Sequence, residues 1–593
     1  MRLHRYFLLA AAMLLDPAGA SGQEASERPS AMKLFPADTF VFVRSPNARE
    51  LIDKLKDSST GRMAADPALA PLLGDLYSSA NELYEENVAE EIGGISLEEL
   101  RELPQGEIAV GIVGRPGKTP AGLLLIDFGD QADKAKAAME KLTAKAIEEG
   151  AEHAVEQIGG EDVHVWGPNE DQMVGVVQRG SVVLAANDRD VLARVLATWD
   201  RAISGESGDL SEPTLAQNAN FVAVIRECYR EGEPPPQLVL FVDPINIIKS
   251  FVPGNPQLRI AVATFPALGI DGLLALGATL SVSTENWDSL IHAHVLLDNP
   301  RAGVIRLFKF GPGKAEPPSY VPVGLETYTA IKIEPQALFD EIAKLVDKFR
   351  HEGSFRESVA GSMDETLGVK FEQELLPQLT GQTHWMSGFD SSIAPGGKMI
   401  LAAEVVDAEA FRKLMDTVIA KYPDSFEERS FGGVDYHALL PRWLRDMEEE
   451  QRPFLPCIAI IGSTVVWSQS EGVLQQMIEA EQGTKPRLAD SIEYRLVSSQ
   501  LAKLARGFEP IWFSFRDNEA TLEHWYGLAT SERAQEFLTR EQEDETANRF
   551  SEVFRKNQLP PFEVLAKYLA PAGSVAYDTD TGFHLVLISF RNE

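Results

Sequence analysis

Two apolar periods take turns along this chain. Short runs alternate apolar and polar residues, and longer runs repeat their apolar residues every three to four positions. The first pattern marks half-buried strands and the second marks amphipathic helices. Over the first half they predict strands at Phe40–Arg44, Glu107–Val113, Gly122–Phe128, Ala154–Ile158, Asp162–Trp166, Val174–Gln178, Ser181–Ala186, Leu238–Val242, Leu273–Ser283 and Leu290–Leu297. Helices are predicted over "NARELIDKLKDS", from Pro67 to about Ile92, over "SLEELRELP", over "DQADKAKAAMEKLTAKAIEEG" up to Gly150, and over "DRDVLARVLATW" with Asp188 as N-cap. Two more are expected near Phe221 and up to about Leu268. Strands come in neighbouring pairs with helices between pairs, which is an α+β pattern with mostly antiparallel sheets.

The pattern then recurs. "IGGEDVHVW" (158–166) returns as "FGGVDYHAL" (431–439), placing His164 and His437 273 positions apart. "RGSVVLAANDRDVLARVL" answers to "IGSTVVWSQSEGVLQQMI", and Phe221 and Asp243 answer to Tyr494 and Asp517. Order is kept while identity is low, so the expected fold is α+β, a tandem duplication of a domain with mostly antiparallel sheets and packed helices. The boundaries expected are 34–310 for the first copy (sub-units about 34–202 and 216–310) and 323–593 for the second (about 323–480 and 489–593). "GPGKAEPPSYVP" (311–322) reads as the linker.

Gly-Gly-x-Asp-x-His carries the most chemistry of anything repeated. Its glycines fit a two-residue hairpin loop. Asp162 and His164 share one strand face, as do Asp435 and His437, but neither copy supplies the third ligand a metal site needs. The motif is read as a turn. "VGIVGRPGKTP" (110–120) lacks the spacing of a phosphate loop and precedes a strand, so it and "SIAPGGKMI" read as hairpin loops. His292 and His294 lie on one face of a strand, with His584 as the counterpart of His294, and no acid completes a set. The second copy adds residues in "PRWLRDMEEEQRPFLP" (441–456). A short helix there is expected to show Trp443, Leu444 and Met447 together, with Trp443 either a contact anchor or folded back on its own sheet.

Composition narrows the setting. Arg2 and Arg5, the apolar run "YFLLAAAMLL" and Ala18-Gly19-Ala20 make residues 1–20 a cleavable signal peptide, so an exported protein, periplasmic or extracellular, is expected. A net charge of −34 argues against nucleic acid and anionic membrane surfaces. "IAVATFPALGIDGLLALGATLSV" (260–282) holds Pro266 and Asp271 and reads as a buried helix followed by a core strand, so no stable membrane insertion is expected after cleavage. Cys228 and Cys457 read as two buried thiols, with a disulfide as the alternative.

"LFPADTFVFVRSPNARELIDKLKDSSTGRMAADPAL" (34–69), "LEELRELPQGEIAV" and "RGSVVLAANDRDVL" resemble an uncharacterised family of exported bacterial proteins, whose signal peptide is followed by a Pro-Ala-Asp step, a strand and a helix. The second copy has "VPVGLETYTAI" where that step would stand. The resemblance implies no activity, ligand or site residue. No catalytic, cofactor-binding or metal-binding residue is assigned, and no cofactor is expected. The reading is an exported, non-enzymatic binding or scaffold protein of the bacterial envelope, its partner an unknown envelope protein or small ligand. The competing reading is an exported hydrolase or metal-dependent enzyme with a site between the copies; a divalent-cation binder using the acidic surface is a third.

Overall fold

Tight glycine turns between short β-branched runs leave neighbouring strands room only for antiparallel pairing. Gly159 and Gly160 have φ of 60° and 82°, and Gly432 and Gly433 have 57° and 78°. Positive φ at both central residues is what a two-residue hairpin matching strand twist requires. The first glycine of each pair also abuts a helix. A Cβ on Gly159 would sit 2.9 Å from Leu196, and one on Gly432 would sit 3.2 Å from Ile478.

A computed structural model describes residues 28–86, 104–148, 152–167, 173–204, 212–253, 255–388, 398–448, 452, 454–539 and 545–592. The signal segment, the helix expected at "SLEELRELP", Gly150 and most of "SIAPGGKMI" lie outside these residues. The first half contains β1 (Thr39–Ser45), β2 (Ile108–Val113), β3 (Ala121–Asp127), β4 (His153–Ile158), β5 (Glu161–Trp166), β6 (Val174–Arg179), β7 (Val182–Ala186), β8 (Leu238–Val242), β9 (Leu273–Val282) and β10 (Trp287–Leu297). These are the ten strands the periodicity predicts, with ends moved by up to three residues. The second half contains β11 (Leu325–Lys332), β12 (Leu379–Gly388), β13 (Lys398–Val405), β14 (Phe426–Phe431), β15 (Val434–Leu439), β16 (Cys457–Ile461), β17 (Thr464–Ser468), β18 (Pro510–Arg516), β19 (Ala572–Thr579) and β20 (Gly582–Phe590).

The fold is α+β, and every strand pairing is antiparallel. Following those pairs gives one sheet ordered β4-β5-β6-β7-β3-β2-β1-β8-β9-β10, then β20-β19-β18-β11-β12-β13-β17-β16-β15-β14. Strands β11–β20 thus repeat the order of β1–β10, and the halves meet edge to edge at β10 and β20. Register carries the correspondence to single residues. Phe241 faces Gly277, and Phe515 faces Gly573. Both glycines lie beneath a helix. A Cβ on Gly277 would come within 2.8 Å of Val224, and one on Gly573 within 2.4 Å of Val497. Those valines sit on the helices Ala219–Cys228 and Ile492–Leu504.

Helices cover one sheet face in each half, and on the other face the helices Ala132–Glu148 and Ala408–Lys421 pack over outer strands only. The helices Arg189–Ser204 and Ala219–Cys228 close one face of the first half over a core that includes Phe42, Leu123, Leu184, Val224 and Phe241. The helices Glu471–Glu481 and Ile492–Leu504 do the same in the second half over Tyr328, Met386, Val466 and Phe513.

The segment expected as a linker does not run free. Tyr320 and Val321 are buried in the second core. Leu488 N donates to Val321 O at 2.9 Å, as Leu215 N donates to Phe35 O at 2.8 Å in the first half. Its glycines and prolines stop a helix there without stopping the segment from packing. The stretch 260–282 also differs from expectation. Its helix Pro256–Ala263 is not buried, for Ile260 is 70% exposed. The chain then turns at Gly269, φ 69°, and enters β9. Cys228 and Cys457 are buried free thiols.

Candidate functional site at the seam

Side chains on β10 and β20 alternate between the faces, so these two strands carry two surfaces at once. On the helix-covered face stand His292, His294 and His584, all buried. His294 pairs in register with His584, and Leu290 pairs with Ile588. Register against β9 and β19 makes Leu290, not His294, the positional counterpart of His584. The two are partners across the seam, which spacing in one sequence does not separate from equivalence.

His292 Nδ1 and His584 Nε2 are 3.0 Å apart. On its other side His292 Nε2 lies 2.7 Å from Glu233 Oε2, near enough for an ion pair but off the line of an N–H···O bond. Both contacts are favourable when His292 carries its proton on Nε2 and His584 donates from Nε2. That leaves His584 Nδ1 buried without a partner, as is His294 Nδ1. His294 Nε2 faces Thr581 Oγ1 at 3.3 Å. Arg230 donates to Tyr577 Oη and to the carbonyl of Leu504, tying the first half to the second. Arg506 returns the contact at 3.7 Å from Glu233, from a backbone φ of +54°. Phe508 stacks on Tyr577 with centroids 4.9 Å apart.

Burial governs the titration. It drives the His584 imidazole down to about 2, with Arg230, His292, His294 and Arg506 adding repulsion. Burial also lowers His294, partly offset by Glu227. It pushes the Cys228 thiol up to about 12, so this is no thiolate nucleophile. A cavity of about 310 Å³ opens beside the cluster, lined by Cys228 through Pro236, Thr279, Ser281, Leu290 and His292. Glu233, His292 and His584 thus stand in one line of contacts across the seam. Among the described residues no three His, Cys, Asp or Glu side chains converge as metal ligands.

The opposite face of the same strands is apolar. One row of paired residues crosses the seam through Val465, Ala403, Thr383, Ile331, Trp512, Ala576, Leu585, Ala293, Ala278, Leu240 and Val43. The next row runs Trp467, Leu401, Trp385, Thr329, Ser514, Ser574, Leu587, Ile291, Leu280 and Leu238. Leu240, Leu401 and Trp385 are 39%, 41% and 53% exposed, and most of the others are half-buried. The hydroxyls of the second row are satisfied within the sheet. Thr329 Oγ1 and Ser514 Oγ are 3.0 Å apart, and Trp512 Nε1 donates to Ser574 Oγ at 3.3 Å. This face therefore offers dispersion and hydrophobic contact and few polar atoms.

The repeated Asp and His lie elsewhere, toward the outer edges of the sheet. Asp162 accepts from Gln157, and His164 stacks on His153 with Nδ1···Nε2 at 3.1 Å. In the second half Phe426 stands beside His437 instead of an imidazole. In the hairpin loop Arg115–Pro120, Arg115 binds Asp188, and Gly117 has φ 74°. Trp443 and Leu444 line one hollow but differ in exposure. Leu444 is buried, while Trp443 stands half-exposed against Phe454 beside a 260 Å³ apolar hollow lined also by Phe426 and Trp467. The sequence singles out the three seam histidines but not Glu233, Arg230, Arg506 or Tyr577. The charge-rich loop "YREGEPPPQ" (229–237) was the available signal.

Residues 8–238 match the model of a family described as "Protein of unknown function (DUF3352)", in accord with the uncharacterised family the N-terminal segments resemble. The match ends where β8 begins, before the seam strands. No curated protein and no solved structure matches the chain. Among the described residues no helix is long and apolar enough to cross a membrane.

Proposed function

We propose that this is an exported, non-enzymatic binding protein of the bacterial envelope that holds an apolar ligand against the open face of its sheet. The observation that carries the reading is the pair of largely apolar rows crossing the seam, interrupted by Thr383 in one and by Thr329, Ser514 and Ser574 in the other, in a chain whose net charge is −34. A strongly acidic protein has abundant polar surface with which to hide such a face, and contiguous exposed apolar area of this kind marks binding surfaces. The repeated pairing order supports descent from a duplicated unit, with the face completed where the copies join.

The test is fluorescence titration of the purified chain with the apolar probe 1-N-phenylnaphthylamine, beside the variants Leu585→Glu and Trp385→Glu. Saturable binding weakened at least tenfold by either substitution is the expected result. Absence of saturable binding, or binding indifferent to both substitutions, overturns the proposal.

The second reading, an exported hydrolase or metal-dependent enzyme between the halves, draws on the meeting of His292, His584 and Glu233. Elemental mass spectrometry of the purified chain tests its metal form. Stoichiometric metal lost in His292→Ala would favour it over the binding role.

A further inference from the structure

We propose that the imidazole cluster on the covered face of β10 and β20 is a proton-operated joint: acidification loosens the pairing of the two halves and thereby disturbs the apolar face on the other side of the same strands. The coupling to ligand rests on the binding reading above, whereas the opening of the joint stands on the cluster alone.

β10–β20 is the strand pair that joins the halves. The groups facing the cluster come from every element around it. Glu227 belongs to the helix Ala219–Cys228, and Cys228, Arg230 and Glu233 lie at its end and in the following loop. Tyr577 stands on β19, Thr581 in the β19–β20 turn, and Arg506 in the loop before β18. With the imidazoles neutral, Arg230 and Arg506 balance Glu227 and Glu233. With His294 and His584 charged, four cations face two anions in a space where their ring centroids are 5.6 Å apart. Nδ1 of His294 and of His584 has no acceptor for an added proton. A proton there is accommodated only when the strands part and water enters.

Direct coupling to the other face follows from strand geometry. Ile291, Ala293 and Val295 alternate with His292 and His294 on β10, and Leu585 and Leu587 flank Val586 next to His584 on β20. These strands cannot separate on one face alone.

The sign is set by burial, which holds His294 and His584 below the ordinary imidazole value in the closed form. The open form takes protons at about 6.5, so at pH 5.5 His584 alone raises the opening constant roughly tenfold, and His294 adds to it in the same direction.

Hydrogen exchange with mass-spectrometric detection, corrected for intrinsic rates, reads the opening directly. Between pH 7.5 and 5.5, protection in Leu290–Leu296 and Phe583–Ile588 is expected to fall at least roughly tenfold while β3, a buried strand without histidine, holds its protection. In the double variant His294→Ile/His584→Leu the fall disappears. Ile and Leu are the residues at the symmetry-related positions 588 and 290. Glu233→Gln, which removes an anion from the balance, should move the opening to higher pH. Seam protection indifferent to pH overturns the proposal, as does an equal loss in β3, which signals global destabilisation. If 1-N-phenylnaphthylamine binds at pH 7.5 and leaves at pH 5.5 with the same midpoint, the coupling holds. Retention of the probe through an open seam refutes the coupling. If the probe does not bind at all, the binding reading fails and the joint is judged on exchange alone.

Discussion

Neighbouring residues on one strand give the sharpest test of the two-faced sheet. Ile400 and Leu401 are adjacent on β13. Ile400 is fully buried against the second-half core and Leu401 is 41% exposed on the open face. Truncating Ile400 to alanine removes buried methyl groups and leaves a space that a packed core closes only in part, a loss of about 3–4 kcal/mol. A leucine fully withdrawn from water contributes about 1.5–3 kcal/mol, and Leu401 is withdrawn only in part. Water also fills the gap left by Leu401→Ala, so no cavity adds to the loss, and about 1 kcal/mol is expected. Val239 and Leu240 on β8, buried and 39% exposed respectively, repeat the contrast in the first half. Urea unfolding of the four alanine variants, compared at unchanged m, measures the differences. A gap of at least ~2 kcal/mol between Ile400→Ala and Leu401→Ala is expected. Equal losses would mean that the second face is covered as tightly as the first, and the proposed binding surface would fall with that result.

Three other outcomes are expected. His384 is buried beside Tyr328, 3.0 Å from its hydroxyl, and burial pushes its imidazole down to about 4, with Lys314 adding to the shift. The unfolded imidazole takes up a proton near 6.5 while the folded one stays neutral until about 4, so stability is full above that range and lost as pH falls through it. The loss is about 2 kcal/mol at pH 5, and an unfolding series in which His384→Phe shows the same slope as the parent would refute it. Gly573→Ala should destabilise by about 2–3 kcal/mol through the contact with Val497, and adding Val497→Ala should restore part of that; a double variant no better than the single one counts against the steric cause. Burial raises the thiols of Cys228 and Cys457 to about 12. Ellman's reagent should therefore label neither at pH 8 in the folded chain and both in guanidinium, and fast native labelling would contradict the burial.

The strands and turns of the first half are legible in the sequence because each depends on local chemistry. Alternating apolar residues specify which side of a strand is buried, and Gly159-Gly160 admits a turn that other residues resist. The repeat is legible for the same reason, since 158–166 and 431–439 carry the same local instructions. The linker expected at 311–322 carries no helix or strand, and its end still packs, with Tyr320 and Val321 buried in the second core. The helix expected to be buried at 260–269 is instead exposed. Apolar content says that a segment can be buried, and only the surrounding elements decide whether anything covers it.

By itself, the sequence determined the order and type of the first half's strands, the acidity and the placing of His292, His294 and His584 on strands, without giving them a role. Tertiary structure alone decided that His292 and His584, nearly three hundred positions apart, stand 3.0 Å from each other, and that Glu233 and two arginines enclose them. It also decided that the apolar rows of both halves join into one face. Pairing of β10 with β20 is a backbone hydrogen-bonding choice between distant strands. No local propensity encodes such a choice, because every strand edge presents the same N–H and C=O groups, and only the packing on both faces selects the partner.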